Sequence, residues 1–145
     1  MKVAISACLL GETCRYDGSS NKNTALLDTL KNATLIPFCP ENYAFGTPRP
    51  TMDLLQTSKG NRAFSNDTGE DLSAPVIQYA KNFFEKYHDI DLYIGKDRSP
   101  SCGVCSSKLY DENRQLLSSH ETGLMTQEAQ KQNIPCFDAE KYKGE

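Results

Sequence analysis

The sequence contains no tryptophan, only two histidines and no long apolar run. Because no stretch approaches the ~20 apolar residues of a membrane span, we predict that the chain has none. The formal net charge of −3 argues against nonspecific binding to nucleic acid, which requires a basic face. Neither a Walker nor a Rossmann glycine fingerprint is present, and no Ser-His-Asp set has a convincing context. These absences still allow a small neutral or anionic substrate that is held by a local arginine.

The amino terminus superficially resembles a short signal peptide, since Lys2 precedes an apolar stretch. Only five residues separate Lys2 from Cys8, however, whereas the apolar part of a signal peptide needs roughly 7–15. We therefore interpret this segment as a first strand and expect a cytoplasmic protein. With 145 residues, 38% of them hydrophobic, the chain is long enough to fold as one domain over residues 1–145.

Strand-like and helix-like segments alternate along the chain, which predicts an α/β fold with one Rossmann-like parallel sheet flanked by helices. The predicted strands are Lys2–Ala7, Thr34–Phe38, Asp91–Ile94 and Ile134–Phe137. The predicted helices are Asn23–Leu30 with Thr24 as its cap, Ser73–Tyr87, and a short helix from a cap at Thr122 through Gln132. The predictions for the remaining segments are loops from Glu41 to about Leu72 with a small hairpin around Leu54–Phe64, and a strand at Lys108–Asp111.

Three cysteines stand among turn-forming residues near the ends of the predicted strands. Cys8 and Cys39 follow the first two strands directly, and Cys102 lies just beyond the third. Because the carboxyl ends of parallel strands build the sites of open α/β sheets, we expect the three thiols at one edge. A buried cysteine is commonly just a small apolar side chain, but that interpretation is weaker for three cysteines in this pattern. The pattern favours a shared metal centre of iron–sulfur or zinc type, with one metal position left open.

The other cysteines leave alternatives open. Cys105 forms a Cys-x-x-Cys pair with Cys102, a spacing that suits zinc, a cluster or a redox dithiol. Either Cys105 or Cys14 as a fourth ligand would close the metal site. Cys136 follows a proline in the last predicted strand and is expected in the core. If a helix begins at Cys102, its dipole favours a thiolate there.

Polar residues beside these cysteines are candidates for acid–base chemistry and for binding. Glu41 follows Cys39 by two residues and is either an ordinary loop carboxylate or a general acid/base beside the metal. Ser99 and Ser101 precede Cys102 and are either hydroxyl donors or turn formers.

Two arginines stand in other turn-forming segments of the chain. Arg15 and Asp17 share a turn and could orient a planar polar ligand, although a surface ion pair of this kind contributes little to stability. Arg49 lies between two prolines, which would present it on a rigid loop.

Five short motifs follow one another along the chain: Ser6-Ala7-Cys8-Leu9-Leu10-Gly11, Cys14-Arg15-Tyr16-Asp17-Gly18, Cys39-Pro40-Glu41, Thr47-Pro48-Arg49-Pro50 and Ser99-Pro100-Ser101-Cys102-Gly103. In this order they resemble the signature of the YbbK-like family of bacterial proteins, whose members include thiouracil desulfidases. The resemblance runs from the first predicted strand to the last predicted helix.

The resemblance implies a 4Fe-4S cluster held by Cys8, Cys39 and Cys102, with one iron left free. It also implies a desulfidase, in which the free iron binds the sulfur of a small thiocarbonyl substrate such as 2- or 4-thiouracil. Water replaces the sulfur on carbon and sulfide leaves. Glu41 is the first candidate for moving protons and Ser101 the second. The candidates for holding the ring are Arg15, Asp17, Arg49 and Ser99.

Two functions of other classes remain as alternatives. A non-catalytic metal- or sulfur-binding protein would have a closed site with four protein ligands. A thiol redox protein would cycle Cys102 and Cys105 between dithiol and disulfide without a metal. A sample prepared in air can lose a cluster and mimic the redox protein, so its metal content alone does not separate these functions.

Overall fold

The computed structural model describes residues 1–12, 22–47, 49 and 51–142. The predicted roles of Cys14, Arg15 and Asp17 fall on residues outside these ranges. In the described ranges the strands are β1 Lys2–Ser6, β2 Thr34–Phe38, β3 Met52–Thr57, β4 Gly60–Ser65, β5 Leu92–Gly95, β6 Ser107–Tyr110, β7 Leu116–Glu121 and β8 Cys136–Asp138. The helices are α1 Thr24–Thr29, α2 Pro40–Phe45, α3 Ser73–Lys86 and α4 Leu124–Lys131, and a single 3₁₀ turn spans Ala7–Leu10. None of the described helices has the length and apolar character needed to span a bilayer.

Four strands form a parallel sheet in the order β2-β1-β5-β8, which confirms the predicted α/β class with a parallel sheet flanked by helices. The chain adds β2 on one side of β1 and then crosses over to add β5 on the other side. In open α/β sheets such a reversal leaves a crevice outside the carboxyl ends of the strands, and ligands bind there. The segments that contain Cys8, Cys39 and Cys102 follow β1, β2 and β5, the three strands that border this crevice.

The core lies on both faces of the parallel sheet. Val3 and Ile5 of β1 pack on one face with Leu26 of α1, whereas Ala4 packs on the other face with Phe83 of α3 and Met125 of α4. A strand that is buried on both faces has no polar alternation, which explains the continuous apolar sequence of β1.

A second sheet, with the order β4-β3-β6-β7, is absent from the sequence prediction. It consists of two hairpins, β3–β4 and β6–β7, which lie in the connections after β2 and after β5. Parallel pairing of Leu54 in β3 with Leu109 in β6 joins the hairpins. The hairpin predicted around Leu54–Phe64 and the strand predicted at Lys108–Asp111 are therefore present, but β7 and the union of the hairpins were not predicted.

Three local predictions about helices were wrong. Asn23 caps α1, because its Oδ1 accepts a hydrogen bond from the N–H of Leu26 at 3.0 Å. Gly123 occupies the cap position of α4, since the hydroxyl of Thr122 donates to the carbonyl oxygen of Val104 instead. Helix α2 begins at Pro40 within a segment predicted as loop, although proline is favoured in the first turn of a helix.

Candidate functional site

The three motif cysteines meet at the carboxyl edge of the parallel sheet, beside a cleft of about 600 Å³. Cys8 lies in the 3₁₀ turn after β1, Cys39 lies between β2 and α2, and Cys102 lies in the loop after β5. All three line the cleft. The structure thus brings together the thiols that the strand pattern placed at one edge.

Cys102 is buried in a turn, and no helix begins at it, so the helix dipole considered from the sequence does not act on its thiol. Burial is the main reason why the pKa of Cys102 is raised to about 12, and the nearby Cys8 and Glu41 act in the same direction. Hydrogen bonds from Ser99 and from the backbone of Lys96 oppose this shift.

The donor set of the cleft is compatible with an iron–sulfur cluster. Three cysteines line the cleft, and cysteine thiolates are the usual ligands of such clusters. Each cysteine of a 4Fe-4S cluster binds a different iron, so three thiols around one opening match this kind of group.

Two other cysteines lie away from the cleft. Cys105 is exposed, and its Sγ donates to the carbonyl oxygen of His120 at 3.7 Å. Cys136 in β8 is partly buried, which raises the pKa of its thiol to about 12, and its Sγ donates to the carbonyl oxygen of Ile134 at 3.1 Å. Neither cysteine lines the cleft, so neither lends support to a closed four-ligand site.

Glu41 and Ser101 form a hydrogen-bonded pair in the wall of the cleft. Glu41 lies in the first turn of α2, and the hydroxyl of Ser101 donates to its Oε2 at 2.8 Å. Ser101 is buried and Glu41 is largely buried. A carboxylate that is paired with a hydroxyl beside three thiols can accept and return a proton at this position.

Arg49 lies behind Glu41 and is fixed by its own loop. Its Nη1 donates to the carbonyl oxygen of Gly46 at 3.1 Å and to Oγ1 of Thr47 at 2.9 Å. Its Nε lies 3.7 Å from Oε1 of Glu41, and only 6% of the side chain is exposed. The structure therefore places Arg49 at the cleft and beside Glu41.

Ser99 shapes the loop that carries Cys102. Its Oγ accepts hydrogen bonds from the N–H groups of Ser101 at 3.2 Å and Cys102 at 3.1 Å. This geometry corresponds to the turn-forming role that the sequence left open. Ser99 also lines the cleft, so its hydroxyl proton is available to a ligand or to the thiol of Cys102.

Two glycines permit this loop to pack closely, and sequence reasoning did not find them. A Cβ on Gly95 would overlap the carbonyl oxygen of Cys102, far inside van der Waals contact. A Cβ on Gly123 would lie 2.5 Å from the carbonyl carbon of Ser101. The available signal for Gly95 was a glycine directly after a buried strand, which often marks close approach of another backbone segment.

Asp138 is a third residue that sequence reasoning missed. Its carboxylate is buried at the end of β8 and accepts hydrogen bonds from the N–H groups of Val104 and Cys105, both at 2.8 Å. It also accepts a hydrogen bond from the hydroxyl of Ser106 at 2.7 Å. Asp138 thereby ties the segment after Cys102 to the far strand of the parallel sheet.

We expect Asp138→Ala to lower the free energy of unfolding by about 3 kcal/mol, because three hydrogen-bond donors of the loop would lose the buried carboxylate that accepts from them. Urea denaturation followed by circular dichroism measures the change. Asp67→Ala, which removes an exposed carboxylate, is the matched control and should change stability by less than about 0.5 kcal/mol. Equal stability of the two variants would show that Asp138 does not hold this loop.

The β3–β4 hairpin contributes to the far wall of the cleft through Asp53 of β3 and through Thr51 and Asn66, which flank the two strands. Arg114 stabilises this wall, because its Nη1 donates to Oδ1 of Asn66 at 2.7 Å and to Oδ2 of Asp53 at 3.1 Å. The buried Asp97 also lines the cleft, and burial is the main reason why its pKa is raised. The cleft thus combines sulfur, carboxylate and cationic groups, an arrangement suited to a small polar ligand.

Comparisons with known proteins identify the family of this chain. The family model of the 2-thiouracil desulfurase matches residues 3–141. The uncharacterized protein YbbK of Bacillus subtilis strain 168 is 27% identical over 114 residues, which are 70% of this chain and 72% of YbbK. A solved structure of the 4Fe-4S-dependent thiouracil desulfidase TudS is 30% identical, with a TM-score of 0.72, and the match covers 94% of this chain and 89% of that one. The expected resemblance to the YbbK-like proteins is confirmed, and the chain belongs to the 2-thiouracil desulfurase family.

Proposed function

We propose that the protein is an iron–sulfur-dependent desulfidase that removes sulfur from a thiolated pyrimidine such as 2- or 4-thiouracil. The observation that carries this proposal is the convergence of three motif cysteines on one cleft beside the Ser101–Glu41 pair. Family membership and the similarity to TudS support a desulfidase enzyme. The products are the oxo base and sulfide.

Cys8, Cys39 and Cys102 would hold a 4Fe-4S cluster and leave one iron without a protein ligand. When bound, such a cluster would supply a soft Lewis acid with affinity for the sulfur of a thiocarbonyl group. Cys105, one of the two cysteines considered as a fourth ligand, is exposed and does not line the cleft.

The exchange of sulfur for oxygen is a hydrolysis and requires no external electrons. Water supplies the oxygen that ends on carbon, and its two protons balance the sulfide that leaves. Glu41 would accept a proton from the attacking water, with Ser101 holding the carboxylate in place through their 2.8 Å hydrogen bond. Ser101 could also pass a proton between Glu41 and the leaving sulfur.

The cleft of about 600 Å³ has room for a small aromatic ring and attached polar groups. Ser99 faces it and is a candidate for binding the ring, together with Arg15 and Asp17. Arg49 also lines the cleft, with its Nε 3.7 Å from Oε1 of Glu41. A small-molecule partner and a cytoplasmic location are parts of the same proposal.

Anaerobic reconstitution tests the proposal directly. We expect about four irons and four sulfides per chain, as for a cubane cluster held by thiolates, and sulfide release from 2- or 4-thiouracil. Glu41→Gln should take up the same iron but lower kcat about 100-fold or more, because the proton acceptor is lost. Asp53→Asn removes a carboxylate from the far wall and is the matched control, with a smaller effect on kcat. A reconstituted wild-type protein that contains the cluster and releases no sulfide from either thiouracil would contradict the assignment.

A further inference from the structure

Arg49 contains a buried donor with no acceptor at hydrogen-bond distance. Its Nε is enclosed, and the residues described by the structure offer it no hydrogen-bond partner. The nearest acidic oxygen is Oε1 of Glu41, at 3.7 Å, which is an ion-pair distance but too long for a hydrogen bond. The other nitrogen with described contacts, Nη1, is already held by Gly46 and Thr47.

An enclosed donor restricts the choice of partner. A substrate ring in the cleft cannot reach Nε without moving protein atoms, whereas the carboxylate of Glu41 already lies beside it. Leaving a buried charged donor without a partner costs free energy, so closure of the 3.7 Å gap by a small rotation of the carboxylate is favourable. The guanidinium is held by its own loop, so Glu41 is the group that adjusts.

We propose that Arg49 is a positioning residue that acts through Glu41, and that it does not contact the substrate ring. Ser101 donates to Oε2 and Arg49 lies beside Oε1, so that each carboxylate oxygen has its own orienting group. Fixing a catalytic group in this way lowers the barrier, because a misplacement of about 1 Å can cost about 100-fold in rate. The inference rests on the proposed function, in which Glu41 moves protons.

Kinetics and ring binding separate a positioning residue from a ring-binding residue. The experiment uses reconstituted holoenzyme with 4-thiouracil for sulfide release and uracil, which contains no sulfur, for calorimetric binding. We expect Arg49→Met to lower kcat about 10–100-fold, with KM and the Kd of uracil changed by less than about twofold. The double variant Glu41→Gln/Arg49→Met should have a kcat less than about threefold below that of Glu41→Gln alone. The reason is that Arg49 would act through a carboxylate that the Glu41→Gln substitution has already removed.

Control variants test whether the change in kcat is specific to Arg49. Arg62→Met removes another arginine, which pairs with Asp71 at 2.8 Å away from the cleft, and should leave kcat and uracil affinity unchanged. Iron content and the visible spectrum report whether each variant holds its cluster. If Arg49→Met fails to fold or to take up iron, Arg49→Lys decides the question, because lysine keeps the charge but lacks the forked geometry. Lowered kcat with unchanged uracil affinity in Arg49→Lys supports the inference, and unchanged kcat overturns it.

Two further outcomes overturn the inference while leaving the proposed function intact. The first is a tenfold loss of uracil affinity in Arg49→Met with kcat retained, which would make Arg49 a ring-binding residue. The second is an independent effect of Arg49→Met in the Glu41→Gln background. A wild-type holoenzyme that releases no sulfide overturns the proposed function and this inference together, so the two failures are distinguishable.

Discussion

Cys39→Ala is expected to abolish both the iron content and the sulfide release of the reconstituted protein. Cys39 is one of only three described cysteines that line the cleft, and a cluster that loses one of three protein thiolates has no replacement ligand among them. Loss of the Lewis acid removes several kcal/mol of transition-state stabilisation, so release should fall at least about 1,000-fold. Iron analysis, the visible spectrum and a sulfide assay under anaerobic conditions give the result.

Matched cysteine variants show whether the site is open or closed. Cys105→Ala and Cys136→Ala remove thiols that do not line the cleft, and both should keep about four irons per chain. Loss of metal in Cys105→Ala would favour a closed site with four protein ligands. Full sulfide release by Cys39→Ala would contradict the proposal that the three motif cysteines hold the catalytic cluster.

Gly95→Ala is expected to destabilise the protein by about 3 kcal/mol or more and to prevent assembly of the cluster. The added methyl group would overlap the carbonyl oxygen of Cys102, so either β5 or the cysteine loop must move. Backbone atoms cannot rotate away as the end of a long side chain can. For a chain of this size, the midpoint of thermal unfolding should fall by about 10 °C, and iron uptake should fall with it.

Gly60→Ala is the control for Gly95→Ala, because it tests the effect of backbone strain without a steric clash. Gly60 has a φ of +98°, but a Cβ there would meet no atom within 4 Å. The substitution should cost about 1 kcal/mol, because an L residue is disfavoured in the left-handed region, and iron uptake should be unchanged. Equal losses of stability and iron in the two variants would contradict the role assigned to Gly95, which is close approach to the Cys102 loop.

Much of the parallel sheet could be predicted from local patterns. Apolar segments of four to six residues followed by turn formers indicated β1, β2 and β5. The motif cysteines follow these strands, and the parallel pairing of β1 with β2 and β5 carries them to one edge. Glu41, Arg49, Ser99 and Ser101 also line the cleft, because each stands within a few residues of a motif cysteine or on a loop that returns to this edge.

The second sheet lacked comparable local signals. Strand β7 begins with two exposed leucines, Leu116 and Leu117, so its apolar pattern does not indicate a buried face. The union of the two hairpins depends on the pairing of Leu54 with Leu109, which are far apart in the chain. Such pairing is decided by how the two hairpins pack together in the folded chain, and no local pattern specifies it.

The sequence by itself determined the class of fold, the edge where the motif cysteines meet and the residues that furnish thiol, carboxylate and hydroxyl groups. Side-chain periodicity and turn chemistry act over a few residues, so they can be read in the linear chain. Only the tertiary structure decided that Ser101 donates to Glu41 across 60 residues of sequence, that Arg49 faces Glu41, and that Asp138 holds the loop after Cys102. These contacts arise when distant segments pack together, and their distances are set by the packed backbone, as the close approach of Gly95 to Cys102 illustrates.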